Sequence, residues 1–268
     1  MRLSDALILA IDTETTGPRV DFDRIIELGG AYVFRGRPWG PLQRTPVNPG
    51  QYISAGAITV HGIRAEDVAN APKWPEVATR FKAHLDTLKP VLCGYNALYF
   101  DANIIHAENE RHDISWRLPR ILDPFLWARW DHRGERTLKL GTVCDLYGIH
   151  LPEDRAHSAD ADSYAVALLL SGMIVAGIIP DDVEGAFARQ AEIQRELDAE
   201  MARFGRYLYE DREDGSLRIG LGKHVGTRLA DADHEYLRWM LGRPDLPDEA
   251  RESIRRTLGK VEQMGFSL

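Results

Sequence analysis

From Tyr164 to Ile179 the chain reads YAVALLLSGMIVAGII, without one charged residue. A helix apolar on every face must be enclosed, either by lipid or by a large protein core. A membrane span needs about 20 apolar residues and usually carries basic flanks. Here Asp160 and Asp162 precede the run and Pro180-Asp181-Asp182 closes it, so a buried helix is expected. The chain is long enough to build that core. Its 268 residues are 44% hydrophobic and suit one large domain or two unequal ones, and the composition excludes disorder, collagen and coiled coil.

An acidic residue ends the first apolar stretch, Ala6 to Asp12, and a second apolar stretch, Ile25 to Phe34, follows the turn-forming Gly17-Pro18. These read as neighbouring strands. Val77, Phe81, Leu85 and Leu88 recur at helical spacing, Val91 to Tyr95 reads as a short strand, and a helix is expected from Asp101 to Arg111. Strands alternating with helices point to an α/β sheet flanked by helices. Beyond Pro180 the character changes. Asp181 to Phe204 is a charge-mixed helix with a thin apolar stripe at Phe187, Ile193, Leu197 and Met201. A hairpin over Tyr207 to Ile219 and two helices, Asp233 to Leu241 and Asp248 to Leu258, complete a small α+β unit. The expected organisation is therefore a main domain over 1–180, a helical connector over 181–204 and an accessory module over 205–268.

Charge and cysteine content narrow the function. The formal net charge of −8 argues against coating duplex DNA by charge alone, but not against meeting phosphates through metal ions. Cys93 and Cys144 are the only cysteines, so there is neither a disulfide framework nor a CxxC zinc pair, and the cytoplasm is the expected compartment. Ala6 to Ile11 is too short for a signal-peptide core of about 7–15 residues.

Three acidic clusters carry candidate chemistry. Asp12 and Glu14 leave the first strand on the same side, where a carboxylate pair either holds a divalent cation or simply lines a solvated turn. Asp101 follows Gly94-Tyr95-Asn96-Ala97-Leu98-Tyr99-Phe100 and reads either as a ligand or as a helix cap. In His157-Ser158-Ala159-Asp160-Ala161-Asp162, small residues let the imidazole and Asp162 face one cleft, although Asp160 or Asp162 also suits a helix N-terminus. Together Asp12, Glu14, Asp101 and Asp162 offer hard oxygen donors suited to Mg²⁺ or Mn²⁺, and His157 offers a base titrating near neutrality.

With DTETTG, GYNALYFD and HSADAD in this order, and His61-Gly62-Ile63 between the first two, the sequence resembles the DnaQ-like DEDDh-type 3′→5′ exonucleases. The resemblance covers roughly Ala6 to Ile179. It implies a ribonuclease H-like mixed five-stranded sheet and a DNA-degrading enzyme acting on single-stranded or frayed 3′ ends in proofreading or repair. Two ions about 4 Å apart would clamp the scissile phosphate. Asp12 would bridge them, Glu14 and Asp162 would complete one site, Asp101 would serve the other, and His157 would be the general base. Substrate contacts are implied at Thr13, Thr15, His61, Ile63, Asn96 and Phe100.

The second block departs from the commonest form, because Asn96 and Asp101 are five apart and Tyr95 stands where histidine is frequent. It resembles instead the GYN…FD form of bacterial exonuclease I. The Gly222-Lys223-His224-Val225-Gly226 turn with Tyr236-Leu237-Arg238-Trp239 resembles the small module ending exonuclease X-like proteins, with Val225 in place of a frequent lysine. Two rival functions remain: the same chemistry on RNA ends, and a non-catalytic nucleic-acid or polymerase-binding module. A replication or repair protein is the implied partner, and no membrane is.

Overall fold

Strand β1 (Leu7–Thr15) and strand β2 (Ile25–Phe34) run antiparallel, from Leu7 opposite Phe34 to Thr15 opposite Ile25, and the register slips between Glu14 and Thr15. This computed structural model describes residues 1–135, 137–149 and 159–265. They divide into two units, Met1–Trp127 with Lys139–Gln190, and Ala128–Leu138 with Ala191–Leu268.

In the first unit, β3 (Arg37–Pro38) and β4 (Gln43–Pro46) both pair antiparallel with the free edge of β2. Pro38 and Pro41 lack the N–H that a ladder needs, and Gly40 turns at φ 82°, so that edge is interrupted. The sheet thus holds six strand segments across five positions, which reconciles it with the expected five strands. Two short helices, α1 (Ala55–His61) and α2 (Ala65–Val68), precede α3 (Trp74–Leu88). Strand β5 (Val91–Cys93) then lies parallel to β1. Helix α4 (Asp101–Arg111) leads to β6 (Ile121–Leu122), parallel to β5. After α5 (Pro124–Asp131) and α6 (Leu140–Leu146), α7 (Ala159–Val175) carries most of the uncharged run.

Period-two alternation sorts the sheet into two faces. Leu9, Ile11, Leu28 and Tyr32 share a core with Trp74, Val77 and Ala78 of α3 and with Ile104 and Ile105 of α4. On the other face lie Ile8, Ala10, Ala31 and Val33, and α7 packs against β1 and β2. The small Ala10 and Ala31 allow close approach. Leu169, Leu170 and Met173 of α7 are fully buried, and each such side chain contributes about 1.5–3 kcal/mol. Among the described residues, no helix is long and apolar enough to cross a membrane.

Helix α8 (Val183–Phe204) begins in the first unit and continues in the second, burying Ala186, Gln190, Ile193 and Leu197. The second unit pairs β7 (Leu208–Glu210) with β8 (Leu217–Ile219) and adds α9 (His234–Leu241) and α10 (Asp248–Gly265). Its core joins Phe204, Tyr207 and Ile219 to Leu237, Met240, Ala250 and Ile254.

Candidate active site

The end of β1 alternates as the sequence requires: Asp12 and Glu14 are half-buried on one face, while Thr13 and Thr15 are buried on the other. Thr15 Oγ1 donates to Gly17 O at 2.7 Å, and Thr16 Oγ1 donates to Asp23 Oδ1 at 2.9 Å. These bonds fold the chain back over the strand end. Gly17 is required there for space, since a Cβ would lie 2.7 Å from an Asp23 carboxylate oxygen.

Asp101 opens α4 and is buried at 4% exposure. It is tied to β1 by Thr13 Oγ1, which donates to its Oδ1 at 2.6 Å. The loop before it is held by a residue the sequence reading passed over. Asp123 accepts backbone N–H bonds from Asn96 at 2.8 Å, Leu98 at 3.1 Å and Phe125 at 3.1 Å. Its own N–H donates to Gln190 Oε1 at 2.7 Å, and Gln190 Nε2 donates to Ile121 O at 2.9 Å. Asn96 takes φ 60° in that loop, and Tyr99 is the more exposed of the two aromatics ahead of Asp101.

His61 ends α1 as a clip. Its Nδ1 accepts the Ile63 N–H at 3.0 Å, which fixes the tautomer so that Nε2 donates to Thr15 O at 3.2 Å. Burial lowers its pKa. Ile63 itself sits in a small core with Ile26, Ile53 and Val68. The imidazole nitrogens and the Ile63 side chain are thus engaged within the protein.

Electrostatics join what the chain separates. Burial, and then the charges of Asp101, Glu14, Asp162 and Glu27, raise the Asp12 carboxyl well above its ordinary range. Burial, followed by Asp162, Glu27 and Asp101, lifts Glu14 to about 7 against the opposing Arg44. Burial lifts Asp101 to about 6 although the Thr13 bonds hold it down. The charge of Asp162, in the first turn of α7, thus reaches the β1 pair. Glu27, directly opposite Glu14 on β2, belongs to the same field and was also passed over. A lone acid inside an otherwise apolar strand, and an Asp-Pro step ahead of a helix, were the available signals. His157 and the side chain of Asp160 lie outside the described residues.

Among the described residues, no three His, Cys, Asp or Glu side chains close into a preformed metal cage. The arrangement is crowded with like charge, offset in part at Glu14 by Arg44. Its donor chemistry nevertheless fits a hard divalent ion. Burial disfavours the charged form of all three shifted acids, neighbouring carboxylates add to this at Asp12 and Glu14, and a dication is the partner that would let them ionise together.

A mixed sheet with acids over the end of its central strand has the donor chemistry of a metal-assisted phosphodiester hydrolase. The RNase_T exonuclease family model matches residues 9–170, and the chain belongs to that family. It is 29% identical over 171 residues to the PolC-type DNA polymerase III of Streptococcus pneumoniae, a match covering 63% of this chain and 11% of that one. The chain thus spans only a small part of that relative's length. It is also 29% identical to the DNA polymerase III subunit epsilon of Buchnera aphidicola, over 61% of this chain and 72% of that one. E. coli exonuclease I, solved in complex with a dA16 oligonucleotide, shares the fold with a TM-score of 0.55 at 18% identity, covering 91% of this chain and 61% of that one.

Proposed function

We propose that the protein is a divalent-metal-dependent 3′→5′ exonuclease that releases nucleoside 5′-monophosphates from single-stranded or frayed DNA ends. The observation that carries this reading is the shared electrostatic field of Asp12, Glu14, Asp101 and Asp162, which come from β1, α4 and α7. Asp12, Glu14, Asp101 and Asp162 would hold two Mg²⁺ or Mn²⁺ ions. When bound, the ions supply Lewis acidity at the scissile phosphate and neutralise the developing charge. His157 accepts the proton of the attacking water. Thr13 holds Asp101 in place through its hydroxyl, and Asp123 holds the loop that delivers it. Thr15, His61, Ile63, Asn96 and Phe100 shape the seat of the terminal nucleotide, with base stacking that is tolerant of sequence.

In this reading, residues 1–180 form the exonuclease domain, 181–204 the connector and 205–268 an accessory module, working in the cytoplasm beside replication or repair proteins. The likeness to polymerase III proteins supports DNA over RNA. The test compares matched 3′-labelled DNA and RNA oligomers in Mg²⁺, using wild type and Asp12→Ala. DNA shortening that requires both Mg²⁺ and Asp12 is expected. Preferential RNA loss would move the substrate to RNA, and undiminished cleavage by Asp12→Ala would remove this site as the catalyst. Absence of any Mg²⁺-dependent cleavage would leave a binding module.

A further inference from the structure

Glu27 is 3% exposed on β2 and stands directly opposite Glu14 in the register. Its two oxygens are treated differently. Arg44 Nε, from β4, donates to Oε2 at 2.5 Å, whereas Oε1 is buried with no hydrogen-bond partner. Interior polar atoms are nearly always satisfied, so a carboxylate oxygen left bare needs a reason. Position supplies one. Period-two alternation puts Glu27 on the face of Asp12 and Glu14, and its charge is felt by both. With Oε2 engaged by Arg44, Oε1 is the oxygen left without a partner on the side chain that shares this face.

We infer that Glu27 is a positioning residue of the metal site. Its Oε1 accepts a hydrogen bond from water held by a divalent ion at Asp12 and Glu14, and Arg44 fixes its orientation. The inference rests on the metal-dependent reading above. Outer partners of this kind orient ligands and waters, and their loss typically costs 10–100-fold in metal affinity. A purely structural Glu27 would behave differently. Its loss would weaken the metal-free fold and leave ion binding alone.

The experiment titrates Mn²⁺ into the full chain without substrate and follows free Mn²⁺ by electron paramagnetic resonance. Melting temperatures in EDTA are measured on the same samples. Glu27→Gln should lower Mn²⁺ affinity about 10–100-fold. Glu27→Asp, which keeps the charge, should retain more affinity than Glu27→Gln. The melting temperature of Glu27→Gln in EDTA should equal or exceed that of wild type, because one of several crowded negative charges is gone. Asp12→Ala is the control for the site itself. If Asp12→Ala loses Mn²⁺ while both Glu27 variants bind within about twofold of wild type, the role of Glu27 is overturned and the metal reading stands. A lowered melting temperature with unchanged Mn²⁺ affinity overturns it equally. If Asp12→Ala binds Mn²⁺ like wild type, the metal reading itself fails.

Discussion

Replacing Asp123 with alanine removes the acceptor for three backbone N–H groups, those of Asn96, Leu98 and Phe125. Each bond contributes about 0.5–1.5 kcal/mol net, and a buried donor left bare costs about 1–3 kcal/mol. Two effects oppose that loss. Burial pushes the Asp123 carboxyl up to about 7, so part of its own desolvation penalty disappears with it. The space vacated at a fully buried side chain also admits water to some of the donors. The donors outnumber the acceptor, so the net loss should be about 3 kcal/mol, mostly local to the loop carrying Asn96 to Asp101. Urea denaturation measures the total, and amide hydrogen exchange at Asn96, Leu98 and Phe125 locates it. Exonuclease turnover should fall with loop protection, since Asp101 follows directly. A stability loss below about 1 kcal/mol, with all three amides exchanging as slowly as in wild type, would refute the assignment of Asp123 as the anchor.

Burial of the acids sets a pH signature in EDTA, to which neighbouring carboxylates add at Glu14. Glu14 and Asp123 are raised to about 7 and Asp101 to about 6, so between pH 4 and 7 the folded chain holds protons that the unfolded chain has released. Their contribution to stability is therefore full below about pH 4 and is lost as pH rises through 6 and 7. Thermal melts of wild type against Glu14→Gln should show a smaller decline across that window in the variant, and identical slopes would discredit the cluster. Gly17→Ala should destabilise by about 1–3 kcal/mol in denaturant, because the added Cβ meets the Asp23 carboxylate at 2.7 Å. A neutral result would mean that Asp23 moves aside freely.

The main elements were legible because their patterns are local. β1, β2, α3, α4 and the enclosed α7 follow from period and polarity, and the acids at the end of β1 follow from alternation. What escaped was short or was decided by distant partners. β6 and α6 are brief, and α1 and α2 are short helices in a polar stretch punctuated by prolines, where period is hard to read. The apolar stripe of α8 was expected to end on Met201, which is 44% exposed, whereas polar Gln190 is buried because it braces β6. Glu27 and Asp123 were hidden for the same reason. A buried acid declares itself only through partners such as Arg44, or the backbone N–H groups of a loop, that sequence spacing does not reveal.

The most water-averse segment of the molecule is also the one that delivers Asp162. Because α7 is docked on β1 and β2, the burial that seats this helix also brings the charge of Asp162 to its acidic companions.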